Sequence, residues 1–100
     1  MWVQIIRRRI KPGQEEELRQ VLEVITKRVR EGRPGWIRTL TLQNQNDPAE
    51  YYNVVIYESE ESARQTEQSP LEQENVRRMQ ALMDGPPEFV DCNVVLDAVR

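Results

Sequence analysis

A chain of 100 residues with 38% hydrophobic side chains fits one domain, residues 1–100, with a real but modest core. Lys plus Arg number 14 and Asp plus Glu 17, and the resulting net charge of −3 gives no basic footprint for nucleic acid. The absence of histidine excludes Ser-His-Asp and Cys-His catalysis, proximal-histidine haem ligation and the usual zinc sets, so any chemistry rests on Tyr, Asn, Arg, carboxylates or an external cofactor.

Trp2 to Ile10 reads as a first strand. Val3, Ile5, Arg7 and Arg9 share one parity, and Trp2, Gln4, Ile6, Arg8 and Ile10 the other. Arg7 and Arg9 are expected to reach solvent. Arg8 shares its row with Ile6 and Ile10 and is the one arginine that parity lets point into a cavity; solvent or a dimer salt bridge is the plainer expectation for it. The apolar stretch Met1–Ile6 precedes Arg7-Arg8-Arg9, the reverse of secretory order, and no run reaches membrane-spanning length, so a cytoplasmic location is expected.

Lys11-Pro12-Gly13 is a turn. Leu18, Val21, Leu22, Ile25 and Val29 then fall on one helical stripe, predicting a helix over about Gln14–Glu31. Glu15, Glu16 and Glu17 open it, and Lys27, Arg28, Arg30 and Arg33 gather at its end. That order complements the helix dipole, and a solvated face accounts for these charges. Gly32-Arg33-Pro34-Gly35 ends the helix. Trp36–Leu42 is a second strand, in which alternation sets Trp36, Arg38, Leu40 and Leu42 opposite Ile37, Thr39 and Thr41. Gln43–Ala49 is a polar hairpin loop.

Glu50–Tyr57 is the clearest strand. Tyr52, Val54 and Ile56 share one face, and Tyr51, Asn53, Val55 and Tyr57 the other. Both faces are largely apolar, so the strand is expected at the centre of its sheet and covered on both sides. Ser59 with Glu60 and Glu61 starts a short helix to about Gln68. Ser69-Pro70-Leu71-Glu72 has the capping-box spacing with proline at N1, predicting a second helical segment to about Met83. Leu71, Asn75, Met79, Leu82 and Met83 lie on one side of it. Phe89–Leu96 is a last strand, in which Cys92 reads as a small buried hydrophobe, since one cysteine makes no internal disulfide and no histidine activates it.

The order β-α-β-β-α-β predicts a ferredoxin-like α+β fold: a four-stranded antiparallel sheet with the helices on one face. The uncovered apolar face then needs a partner, and a second copy of the chain is expected there, giving a homodimer through the sheets.

Arg9-Ile10-Lys11-Pro12-Gly13, Pro34-Gly35-Trp36, Val55-Ile56-Tyr57-Glu58-Ser59 and Ser69-Pro70, in this order and spacing, resemble the antibiotic biosynthesis monooxygenase family of dimeric α+β barrels, over nearly the whole chain. The family includes monooxygenases of small quinols or polyketides that use no metal or flavin, and haem-degrading enzymes. The three hallmark positions of the haem-degrading branch align with Ile6, Leu71 and Tyr57 here, none of which carries the hallmark residue, so haem degradation is set aside. The resemblance implies a cofactor-independent monooxygenase with its cleft between helices and sheet. Tyr57, at a position where relatives often keep a tryptophan, and Asn53 would donate hydrogen bonds, and Arg8 would stabilise an oxyanion. Trp36, Gln4, Ile6, Val55, Leu71, Met79 and Met83 would contact a small aromatic ligand, with no cofactor. Two other readings stay open on the residues alone: a binding module of the same fold, and a structural or stress-related dimer without a ligand.

Overall fold

In a computed structural model of the protein, the two most apolar strands pair at the middle of one sheet. β1 (Trp2–Arg9) runs antiparallel to β3 (Glu50–Tyr57), with Trp2 opposite Tyr57 and Ile5 opposite Val54. β2 (Trp36–Gln43) flanks β3 and β4 (Glu88–Asn93) flanks β1, both antiparallel, in the order β2-β3-β1-β4. α1 (Glu15–Gly32) links β1 to β2, and α2 (Glu60–Glu67) and α3 (Pro70–Leu82) lie between β3 and β4. This is the expected ferredoxin-like α+β arrangement. The structure describes the backbone of residues 1–100 and every side chain except that of Leu71, so the ligand contact expected of Leu71 lies outside the described residues.

Strand alternation sorts the sheet into two unlike faces. Trp2, Ile6, Asn53, Val55 and Tyr57 are buried under the helices, while Val3, Ile5, Tyr52, Val54 and Ile56 on the other face are half-buried. Leu40, Leu42 and Val90 on the outer strands are exposed. In α1, Leu18, Val21 and Val29 are buried as the stripe predicts. Beyond β1 the ladder continues irregularly: Ile10 bridges Met83, and Asp84 N–H donates to the Arg9 carbonyl at 2.8 Å.

Five expectations are corrected. The register of β2 shifts between Trp36 and Arg38, so simple alternation fails there: Trp36 pairs with Tyr57, and Thr39 and Thr41 pair with Val55 and Asn53. Ile37 is the extra residue of a β-bulge, which turns Trp36 onto the same face as Thr39 and Thr41. β4 ends at Asn93 rather than Leu96, because its last pair is with Trp2 and β1 has no further residue to offer. Val95 and Leu96 are consequently exposed. Cys92 is half-exposed rather than buried, since an edge strand on the open face has nothing over it. The capping box of α3 does not form: Ser69 makes no side-chain cap bond, and the Glu72 carboxylate turns to Arg33 instead of back to the Ser69 N–H. Arg33 in turn is not on a solvated helix face; it is half-buried beneath α3. By contrast Ser59 caps α2 as expected, accepting from Ser62 N–H at 3.2 Å.

Candidate functional site

Among the described residues the buried apolar side chains form two clusters. Ile10, Leu18, Val21, Met79, Leu82 and Met83 gather with Leu22, Ile25 and Tyr51; Trp2, Ile6, Val55, Tyr57 and Ala63 gather with Trp36. A domain of this size ordinarily has one contiguous core. Here a cleft of about 680 Å³ is lined by members of both clusters. That volume lies within the range of small-molecule sites. Leu22 and Ile25 belong to the α1 stripe yet are only half-buried, because they face this space. The cleft is open to solvent, since Thr41, Val76 and Phe89 line it and are exposed.

The sheet supplies its floor. Alternation along β1 presents Gln4, Ile6 and Arg8, and along β3 Asn53, Val55 and Tyr57. The β2 bulge adds Trp36, whose indole N–H donates to Thr39 Oγ1 at 2.8 Å, a bond between residues of one face only because of the bulge. α1 and α3 supply the roof, with Leu22, Ile25 and Val29 from one and Asn75 and Met79 from the other.

Two polar chains cross this apolar space. Arg8 Nη1 donates to Asn53 Oδ1, and Asn53 Nδ2 donates to Thr41 Oγ1 at 2.8 Å. The side chain thus ties three adjacent strands together, and its two partners fix which way the amide points. Burial pulls the Arg8 pKa down to about 10, which leaves the guanidinium charged at neutral pH but poorly solvated. Arg8 makes no ion pair among the described residues of this single chain, and it lines the cleft as a cation.

The second chain runs from α3 to β3. Arg33 Nη2 pairs with Glu72, and its Nη1 donates to the Tyr57 hydroxyl at 3.1 Å. Burial raises the Tyr57 pKa, and the Arg33 cation opposes that rise. Because the phenol oxygen accepts from Arg33, its own proton is left for another acceptor. Trp2 packs beside Tyr57 with ring centroids 6.3 Å apart, and the Arg64 guanidinium sits over Trp2 at 5.2 Å.

Tyr57, Asn53, Arg8, Trp36, Gln4, Ile6, Val55, Met79 and Met83 all line the one cleft. Sequence reasoning missed Arg33, Glu72, Asn75, Thr39 and Thr41, which line it too. Asn75 had a signal, an amide within an apolar helical stripe. Arg33 and Glu72 had plausible local roles, at a helix end and in a capping box, that concealed their pairing. Among the described residues no group of three or more Cys, Asp or Glu side chains is placed to hold a metal ion.

The family model described as antibiotic biosynthesis monooxygenase matches residues 1–81, which include β1 to β3 and nearly all of α3. The chain belongs to the antibiotic biosynthesis monooxygenase family. Solved structures agree on the fold. A Nitrosomonas europaea protein carrying the same family description superposes with a TM-score of 0.84 at 18% identity, over 96% of this chain and 100% of that one. Rv0793 from Mycobacterium tuberculosis superposes with a TM-score of 0.84 at 16% identity, over 98% of both chains. A conserved protein from Methanosarcina mazei gives 0.82 at 15% identity, over 92% of this chain and 91% of that one. No curated protein sequence matches the chain. At these identities the likeness is one of fold.

Proposed function

We propose that this family member is a cofactor-independent monooxygenase of a small aromatic, quinol or polyketide-like substrate, working as a homodimer. The observation that carries the reading is the convergence of Arg8, Asn53 and Tyr57 on one otherwise apolar cleft. An electron-rich quinol loses a proton to become an anion, and that anion passes one electron to O₂. Combination of the two radicals forms a carbon–oxygen bond as a peroxide. The hydrogen on that carbon then leaves as a proton while the O–O bond breaks; one oxygen stays on carbon as a carbonyl, and the other takes up protons and leaves as water. All four electrons come from the substrate, so no external reductant enters.

In this reading the apolar walls hold the ring, and the Arg8 cation stabilises the substrate anion in a site of low polarity. Tyr57 donates its free proton to a substrate oxygen while Arg33 holds the phenol in place. Asn53 keeps Arg8 aimed at the ring. The open sheet face, with Val3, Ile5, Val54 and Ile56 half-buried and Leu40, Leu42 and Val90 exposed, is covered by a second copy.

Oxygen uptake against a panel of hydroquinones and polyhydroxyaromatics tests the reading. At least one is expected to be oxidised faster with the protein than without it; Tyr57→Phe and Arg8→Ala are expected to slow that reaction by about 100-fold or more, the usual scale for removing one transition-state donor, and Asn53→Ala is expected to slow it through the lost alignment of Arg8. A panel with no acceleration, or variants that match the wild type, would rule the assignment out.

A further inference from the structure

Five arginines and three carboxylates line the cleft of a chain whose net charge is −3. Two of those arginines are neutralised: Arg33 by Glu72, and Arg64 by Glu60, Glu67 and Asp91. Arg8, Arg30 and Arg38 make no ion pair among the described residues. Arg8 lies in the sheet floor, and Arg30 and Arg38 are exposed where they line the cleft. On the roof, Asn75 is 3% exposed and its Nδ2 has no hydrogen-bond partner among the described residues. A buried donor left unpaired is costly and calls for an acceptor. The unfilled groups on both walls are therefore donors and cations.

We infer that the ligand of this cleft is an aromatic acid, an apolar ring system bearing a fixed carboxylate that docks on Arg8. The inference rests on reading the cleft as a ligand site and deepens it by naming the ligand's charge. Asn53 occupies only Nη1 of Arg8, and the remaining N–H groups of the guanidinium have no partner among the described residues, leaving them for a carboxylate, whose planar pair of oxygens matches the guanidinium fork. Burial makes that partner more valuable than it is in water, because a cation with little solvation gains most from a counter-ion. Arg30 and Arg38 favour the approach of an anion toward the cleft, against the negative charge of the chain as a whole. The ring occupies the apolar space between the two core clusters.

Calorimetric titration of the intact protein under nitrogen, with 2-naphthoate and its neutral analogue 2-naphthamide, tests this without turnover. Naphthoate is expected to bind at least about tenfold more tightly, a difference of about 1.4 kcal/mol. Arg8→Gln is expected to remove that preference, so that naphthoate binds no more tightly than naphthamide. Arg38→Gln, at an exposed position whose change does not threaten folding, is expected to weaken naphthoate binding alone. Equal affinities, tighter binding of naphthamide, no binding of naphthoate, or a preference that survives Arg8→Gln would each overturn the inference. Oxidation of neutral hydroquinones would stand untouched by any of these results, so failure here and failure of the oxygenase reading are separable.

Discussion

Arg33 and Tyr57 meet across 24 residues of chain, with Arg33 Nη1 donating to the Tyr57 hydroxyl at 3.1 Å. The contact sets the acidity of the phenol from two sides. Burial raises the Tyr57 pKa, and the neighbouring cation pulls it back, while Glu72 adds a smaller push upward. Arg33→Met therefore removes the main opposing effect, and Tyr57 is expected to ionise at still higher pH. Ultraviolet titration of tyrosinate reads this directly, with Tyr57→Phe identifying the transition. The sign for stability follows. The neutral phenol's contribution is fully present below the unfolded pKa of about 10 and is lost as pH rises through the higher folded value. A Tyr57 transition that stays in place or moves down in Arg33→Met would show that the cation does not control it.

Asn53→Ala is expected to lower stability by about 1–3 kcal/mol, because Arg8 and Thr41 lose a partner in a half-buried site. Urea unfolding measures the change. A midpoint equal to that of the wild type would mean the three-strand link contributes nothing.

Gly35 ends the turn into β2 at φ +74, and a Cβ there would overlap the Ser62 Cβ and Oγ. Its carbonyl also accepts from Glu58 N–H at 2.7 Å, holding the Trp36 and Tyr57 ends of β2 and β3 together. Gly35→Ala combines left-handed strain with overpacking and is expected to cost about 2–4 kcal/mol. Adding Ser62→Gly should recover the overpacking part alone. Thermal unfolding of the two variants separates the effects, and full recovery in the double variant would mean that backbone strain is absent.

Glu50 is buried on the open sheet face. Burial alone would raise its pKa, but hydrogen bonds from Arg7 and Asn44 and the charge of Arg7 hold it below the ordinary value. A depressed folded pKa contributes stability that is present above the unfolded pKa of about 4.3 and lost as pH falls through the folded value. Unfolding midpoints followed into acid should therefore drop in this window for the wild type and drop less for Glu50→Gln. Parallel curves would remove Glu50 from the account.

Light scattering after gel filtration is expected to give twice the chain mass. Val54 stands at the middle of the open face, paired with Ile5 and Leu40. Val54→Asp would bury an unpaired charge in a sheet-to-sheet interface and is expected to yield the mass of one chain. A wild-type monomer at micromolar concentration, or a Val54→Asp dimer, argues against that interface.

Much of this molecule was legible locally. Asn53, Val55 and Tyr57 alternate with Tyr52, Val54 and Ile56, and the structure buries the first set under the helices. The same alternation placed Gln4, Ile6 and Arg8 in a row along the cleft. It failed at Trp36 because a bulge changes parity without leaving a decisive residue type behind. It overran at β4 because a strand's length is set by its partner, and Trp2 is the last residue that β1 provides.

The sequence by itself determined the order of elements, the cap at Ser59, the proline that opens α3, and the sorting of β1 and β3 side chains into two faces. Those features follow from the spacing of apolar residues and from backbone preferences, both of which act within a few residues. Only the tertiary structure decided that Arg33 takes Glu72 from its capping box and holds Tyr57, that Arg8 lines a cleft without a counter-ion, and that two core clusters leave a cleft between them. These depend on which charges and surfaces meet across the folded chain, and no local pattern records the partner of a charge many residues away.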